Sequence, residues 1–130
     1  MFEDLIQKFL LESQTITQKV TKRVYTSPPR GNLTFPCIII DGVSAKLKNN
    51  GRSSNRTGAC EISVVASTKN GAHLIRKLIM KHILSFDPSI NDDDIRLNSL
   101  YLSDEGYSVE VSEKSVEITI NALTTFTEEL

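Results

Sequence analysis

The sequence contains no tryptophan, and only two cysteines and two histidines stand among its 130 residues. Each shortage removes a class of chemistry. Aromatic residues make up 6% of the chain, too few for the stacking platforms on which single-strand binders hold bases. Cys37 and Cys60 have no CxxC spacing and no histidine nearby in sequence, so they make a poor zinc site. They are expected to be small buried thiols, with a disulfide between neighbouring strands as the alternative. His73 and His82 are nine positions apart on one expected helix. That is about two and a half turns, so they face opposite sides and cannot share one metal or form one catalytic pair. They read as surface histidines.

Other absences point the same way. No apolar run approaches the roughly 20 residues that a membrane-spanning helix needs. The opening stretch Met1–Glu12 carries acids within its apolar pattern and lacks a basic leader, so no signal peptide is expected and synthesis without export is the default. There is no GxSxG elbow, no P-loop and no GxGxxG. Asp92, Asp93 and Asp94 lack the spacing and closing glutamate of a calcium loop and read as a solvated turn. No enzymatic activity, cofactor or metal is expected.

What the chain does have is a lopsided charge distribution beneath a net charge of −1. Between Lys19 and Lys81, twelve Lys and Arg residues oppose only Asp41 and Glu61, a local net of +10. Between Asp87 and Glu117, nine acids oppose Arg96 and Lys114, a local net of −7. Within the basic half, Lys46, Lys48, Arg52 and Arg56 occupy a polar loop without an acid, a candidate for phosphate contacts. This loop carries the alternative reading, a small nucleic-acid-binding protein using residues 46–56.

Hydrophobic periodicity divides the chain into elements. Phe2, Leu5, Ile6, Phe9 and Leu10 recur at helical spacing, and Ile16, Val20 and Val24 suggest a further short helical turn. Pro28 and Pro29 force extended backbone. Phe35 to Leu47 is a strand candidate, and Lys48 to Gly58 is a polar loop or the tip of a long hairpin, expected to be mobile in the isolated subunit. The alternation of Cys60, Ile62, Val64 and Ala66 marks the next strand. Ala72, Ile75, Ile79, Ile83 and Phe86 give the strongest helix pattern, and Leu74, Leu78, Met80 and Leu84 widen its apolar arc, which predicts a second covered side. Leu97–Leu102 and Tyr107–Val111 read as two strands around a turn at Asp104–Gly106, followed by a last strand through Val116, Ile118, Ile120 and Ala122.

The expected fold is one α+β domain over residues 1–130 in the order α-β-β-α-β-β. It has a mostly antiparallel sheet of about four strands with two main helices packed on one face. Ile62, Val64, Ile75, Ile79, Ile83, Ile118 and Ile120 should share one core.

An N-terminal helix, then Arg23-Val24-Tyr25, then prolines, then Phe35-Pro36 entering a strand form a distinctive order. Together with the strand Thr57–Ala66 and a helix opening at Asn70-Gly71-Ala72, this order resembles the tail terminator, or tail completion and tail-to-head joining, proteins of long-tailed phages. The likeness covers roughly residues 1–86. It departs from the family at Val65-Ala66, where members often carry an aromatic residue, and in the acidic segment after Phe86. The resemblance implies a virion protein at the head–tail junction, made in the host cytoplasm. It implies a homo-hexameric ring that caps the tail tube and meets the tube protein and a head-completion (stopper) protein, with DNA passing through its lumen and no membrane involved. In a heterologous ring, patches of opposite sign suit the repeating contact. The candidate interface residues are Arg23, Arg30, Lys48, Arg52 and Arg56 on the basic side, and Asp92, Asp93, Asp94 and Glu110 on the acidic side.

Overall fold

The computed structural model describes residues 1–27, 31–47, 55–88, 91–92 and 94–128. The chain opens with α1 (Phe2–Leu11), whose apolar stripe Phe2, Leu5, Ile6, Phe9 and Leu10 is wholly buried. Glu3 and Asp4 lie in its first turn, where acids suit the helix dipole. The expected extra turn is a complete helix, α2 (Gln14–Val20), capped by Ser13, whose Oγ accepts the Ile16 N–H at 3.3 Å. Then come β1 (Val24–Tyr25), β2 (Cys37–Leu47) and β3 (Asn55–Ala66). The peptide joining Phe35 to Pro36, just before β2, is cis.

Helix α3 (Lys69–Leu84) starts at Thr68, whose hydroxyl accepts the Gly71 N–H at 3.1 Å. Its last turn holds Lys81 and His82, cations and dipoles that suit a helix C-terminus. The chain finishes with β4 (Asn91–Asp92), β5 (Ile95–Val111) and β6 (Val116–Glu128).

These strands form one mixed six-stranded sheet in the order β1-β2-β3-β6-β5-β4, curved into a half-barrel. Among the described residues, only the β1–β2 pair is parallel. The expectation of about four antiparallel strands and two helices packed on one face is therefore corrected to six strands, one parallel pair and three helices among the described residues. The physical reason is length. The strands β1 and β4 have two residues each, too short to express a period of two, and their pairing comes from their neighbours rather than from their own pattern.

The supposed turn at Asp104–Gly106 is also corrected. Strand β5 runs through it without a break, and five positions from Leu102 to Tyr107 span two positions of β6, from Ala122 to Ile120. That mismatch is an irregular bulge of three extra residues, and Gly106 supplies its left-handed residue at φ +73°.

Alternation along β3 and β6 sends Ile62, Val64, Ile118 and Ile120 to the face on which the helices pack, and Ile75, Ile79 and Ile83 meet them from α3. All seven expected core residues belong to one buried cluster. Helix α1 packs on β2 and β5, α3 packs on β3, β5 and β6, and α2 packs on both other helices. Phe2 stacks on Phe126 with ring centres 5.1 Å apart. It reaches that place over Gly58, where a Cβ would lie 3.0 Å from the Phe2 ring and from the Thr124 methyl. No helix covers the other face of the sheet among the described residues.

Candidate functional site

Arg30, Lys48, Arg52 and Asp93 lie outside the described residues, as does most of the loop expected to be mobile. The remaining candidates do not converge. Arg23 is half-buried between α2 and β1, with its Nε donating to the Pro36 carbonyl at 3.0 Å and an Nη donating to the Thr21 hydroxyl at 3.4 Å. Its own carbonyl accepts the Ile38 N–H at 2.9 Å. The arginine therefore ties the proline-rich connection to the end of α2, within the subunit.

Arg56 is 4% exposed, on the helix-facing side of β3, and its Nη1 donates to the Asn55 carbonyl at 3.0 Å. The structure places it inside the protein. Asp92 and Asp94 stand at one end of β5, around a recess of 280 Å³ shared with Met1, Ile95 and Glu128. Glu110 is near the opposite end of β5, directly across from Glu117 of β6. The acidic candidates thus fall into two separate places.

What the fold does assemble is an acidic bias on the open face of the sheet, which also holds Lys46 and Arg96, and a basic bias on α2 and α3, beside Glu3 and Asp4 of α1. On the open face of the sheet, Asp41 stands directly across from Glu61, and Glu110 across from Glu117. Like charges in directly opposed strand positions repel, and none of these four carboxylates makes an ion pair among the described residues. On the helical layer, Lys19, Lys22, Lys69, Lys77 and Lys81 are exposed, and neither α2 nor α3 contains an acid.

The second covered side expected for α3 is present in part, where the helix packs on α2. Leu78 and Met80 are packed against the core, whereas Leu74 is 46% exposed and Leu84 is 79% exposed. Leu74, Lys77, Lys81 and Leu84, spaced three, four and three apart, form an outward ridge opposite the buried stripe.

Neither histidine is a free surface side chain. His82 stacks on Phe9 with ring centres 4.0 Å apart, and its Nε2 lies 2.9 Å from the Phe9 carbonyl. His73 Nδ1 accepts from Arg76 Nε at 3.1 Å. Desolvation, with Arg76, Lys69 and Lys77 nearby, holds the His73 pKa below its ordinary value.

Both cysteines are free and buried. Cys37 is paired with Val65 and Cys60 with Gly42, five positions apart on β2, which rules out the inter-strand disulfide. Burial pushes the Cys60 thiol up to about 12 and also raises Cys37, so neither is poised as a nucleophile. No group of three or more His, Cys, Asp or Glu side chains able to hold a metal occurs among the described residues.

No family model and no curated protein matches the sequence. Among solved structures, a chain from "Virion of native gene transfer agent (GTA) particle" matches over 94% of this chain and 91% of its own length. The TM-score is 0.71 and the identity is 16%. At that identity the likeness is one of fold, and it runs through both chains nearly end to end: this protein has the architecture of a component of that virion structure.

Proposed function

We propose that the chain is a structural protein of a phage-like virion, and more narrowly the ring that closes the tail tube at the head–tail junction. The observation that carries the reading is the nearly full-length likeness to a virion chain, which leaves almost nothing of either fold unmatched. The tail-terminator resemblance of residues 1–86 supports the narrower role. The proposed partners are further copies of this chain in a ring of six, the tail tube protein and a head-completion protein, with DNA passing through the lumen. Such a role needs interfaces and no bond chemistry. Segregated charge of opposite sign favours a heterologous contact, because each copy can then present unlike patches to its two neighbours.

Of the four cations on which the nucleic-acid alternative rests, Arg56 is buried in the subunit and Lys46 is exposed, while Lys48 and Arg52 lie outside the described residues. Imaging and quantitative mass spectrometry of purified particles test the proposal. The expected result is about six copies per particle in density at the neck, by the closed-ring argument. Absence from particles, or a single copy in each, would overturn it.

A further inference from the structure

The subunit offers two sheet edges and two broad faces for contact, and the edges are guarded. The β5 edge carries the bulge at residues 103–106 with Asp104 and Glu105, and β2 has a register shift between Gly42 and Ser44. Bulges and edge charges are the usual barriers to strand addition. The faces are not guarded in this way. One bears two directly opposed carboxylate pairs together with Lys46 and Arg96, and the other bears lysines and two large exposed leucines.

We infer that the open face of the sheet receives the Leu74–Lys77–Lys81–Leu84 ridge of a second copy of this chain. The inference deepens the ring reading and rests on it for the repetition of the contact. Shape supports the pairing together with charge. The open face holds a recess of 150 Å³ lined by Leu123, Ala59, Ser44 and Thr57, with the cation Lys46 at its Thr57 end. A cavity of about that volume accommodates a benzene molecule, so one aliphatic side chain fits. Leu84, at 79% exposure, is the most exposed large apolar residue of the described chain.

With Leu84 of one copy in that recess, Lys81 lies about one helical turn away, roughly 5 Å. On the receiving face, Glu61 is two residues from Ala59 along β3, roughly 7 Å, and Asp41 stands beside it on β2. The ridge is oriented so that Lys81 and Lys77 run toward the Asp41–Glu61 pair and away from Lys46. Each contact relieves a like-charge repulsion that the isolated subunit retains. Tyr101, 48% exposed and directly across from Leu123, extends the apolar floor beside the recess. The two patches lie on opposite layers of the subunit, so the contact is heterologous and repeats from copy to copy.

The test combines cross-linking with charge exchange in the full-length chain. A mixture of Leu84→Cys and Leu123→Cys proteins should form intermolecular disulfides under mild oxidation, since Cys37 and Cys60 are buried and do not compete. Lys81→Glu and Glu61→Lys should each weaken self-association by about tenfold, and mixing the two variants should restore most of it across the hybrid contact. Lys81→Glu should melt like the parent and Glu61→Lys no lower than the parent, since it replaces a like-charge pair with an unlike one beside Asp41, which separates loss of contact from loss of fold. Assembly unaffected by either reversal, without a Leu84–Leu123 link, would overturn the contact while particles that still contain the chain keep the virion reading. Links and rescue in solution from a chain absent from particles would instead keep the contact and overturn the virion reading. Protection of Lys77 and Lys81 from acylation by short duplex DNA, with no self-association, would also overturn the inference and mark the ridge as a polyanion surface.

Discussion

The guanidinium carbon of Arg76 sits 4.3 Å from the centre of the Tyr107 ring. The same arginine donates to His73 Nδ1 and, through an Nη at 3.1 Å, to the Met80 sulfur. Helix α3 is thereby fastened to β5 just beyond its bulge, where the strand also pairs with β6. Replacing Tyr107 by Ala should cost about 1–2 kcal/mol through the lost cation–π contact and its packing. Chemical denaturation measures this directly, and Tyr107→Phe, which keeps the ring, should recover most of the loss.

His73 gives that fastening a pH dependence. As an acceptor from Arg76 it must be unprotonated, and its folded-state pKa is lowered from 6.5 by desolvation and then by Arg76, Lys69 and Lys77. The unfolded chain therefore takes up the proton first, so this contribution to stability rises with pH. It is complete above about 6.5 and is lost as the pH falls through the lower folded-state value. Melting temperature measured from pH 7.5 down to 5 should decline more steeply for the parent than for His73→Gln. Parallel curves would refute the role given to His73.

Ile79 is 0% exposed and belongs to the cluster that joins α3 to β3 and β6. Ile79→Asp places an unpaired carboxylate there and should cost about 4 kcal/mol or more. Ile79→Val removes one methylene and should cost about 1 kcal/mol. A soluble Ile79→Asp protein with an unchanged denaturation midpoint would contradict the core assignment.

Gly58 is a matter of room. A Cβ at that position would press on Phe2 and Thr124 at 3.0 Å, and Phe2 is stacked on Phe126. Gly58→Val should destabilise by about 2 kcal/mol through overpacking. Phe2→Leu in the same chain should cost less than it does alone, because the two changes share one space. Strict additivity in that double-mutant cycle would show that Phe2 does not depend on Gly58 for its place.

How far the sequence discloses this molecule depends on where its order is local. The stripe Ala72, Ile75, Ile79, Ile83 and the alternation Cys60, Ile62, Val64 each express a period over several repeats, and both elements form as expected. The strands β1 and β4 have no period to express, and Gly106 with two acids has the same composition in a bulge as in a turn. Leu74 and Leu84 mislead for another reason. Amphipathic spacing states that an apolar residue favours cover, without saying that the same subunit supplies it. The charge asymmetry is plain along the chain, but the Asp41–Glu61 and Glu110–Glu117 juxtapositions exist only once the strand register is known.

Arg23 allows the remaining question about the proline-rich connection to be put to experiment. Read from sequence, it is a cation presented to a neighbouring subunit. In the structure its Nε donates to Pro36, and its backbone carbonyl accepts from Ile38, so the side chain holds the entrance of β2 against the end of α2. Arg23→Ala should then destabilise the isolated subunit by about 1–2 kcal/mol, the worth of a hydrogen bond from a charged donor. Arg23→Lys should not rescue it, because an ammonium at the end of a flexible stem does not reproduce the Nε position of a planar guanidinium. A role in the neighbour contact predicts a different pattern: unchanged melting of the lone subunit, weakened assembly, and substantial rescue by lysine. Parallel measurement of subunit denaturation and of self-association for the two variants distinguishes these patterns, and the hydrogen bond to Pro36 predicts the first.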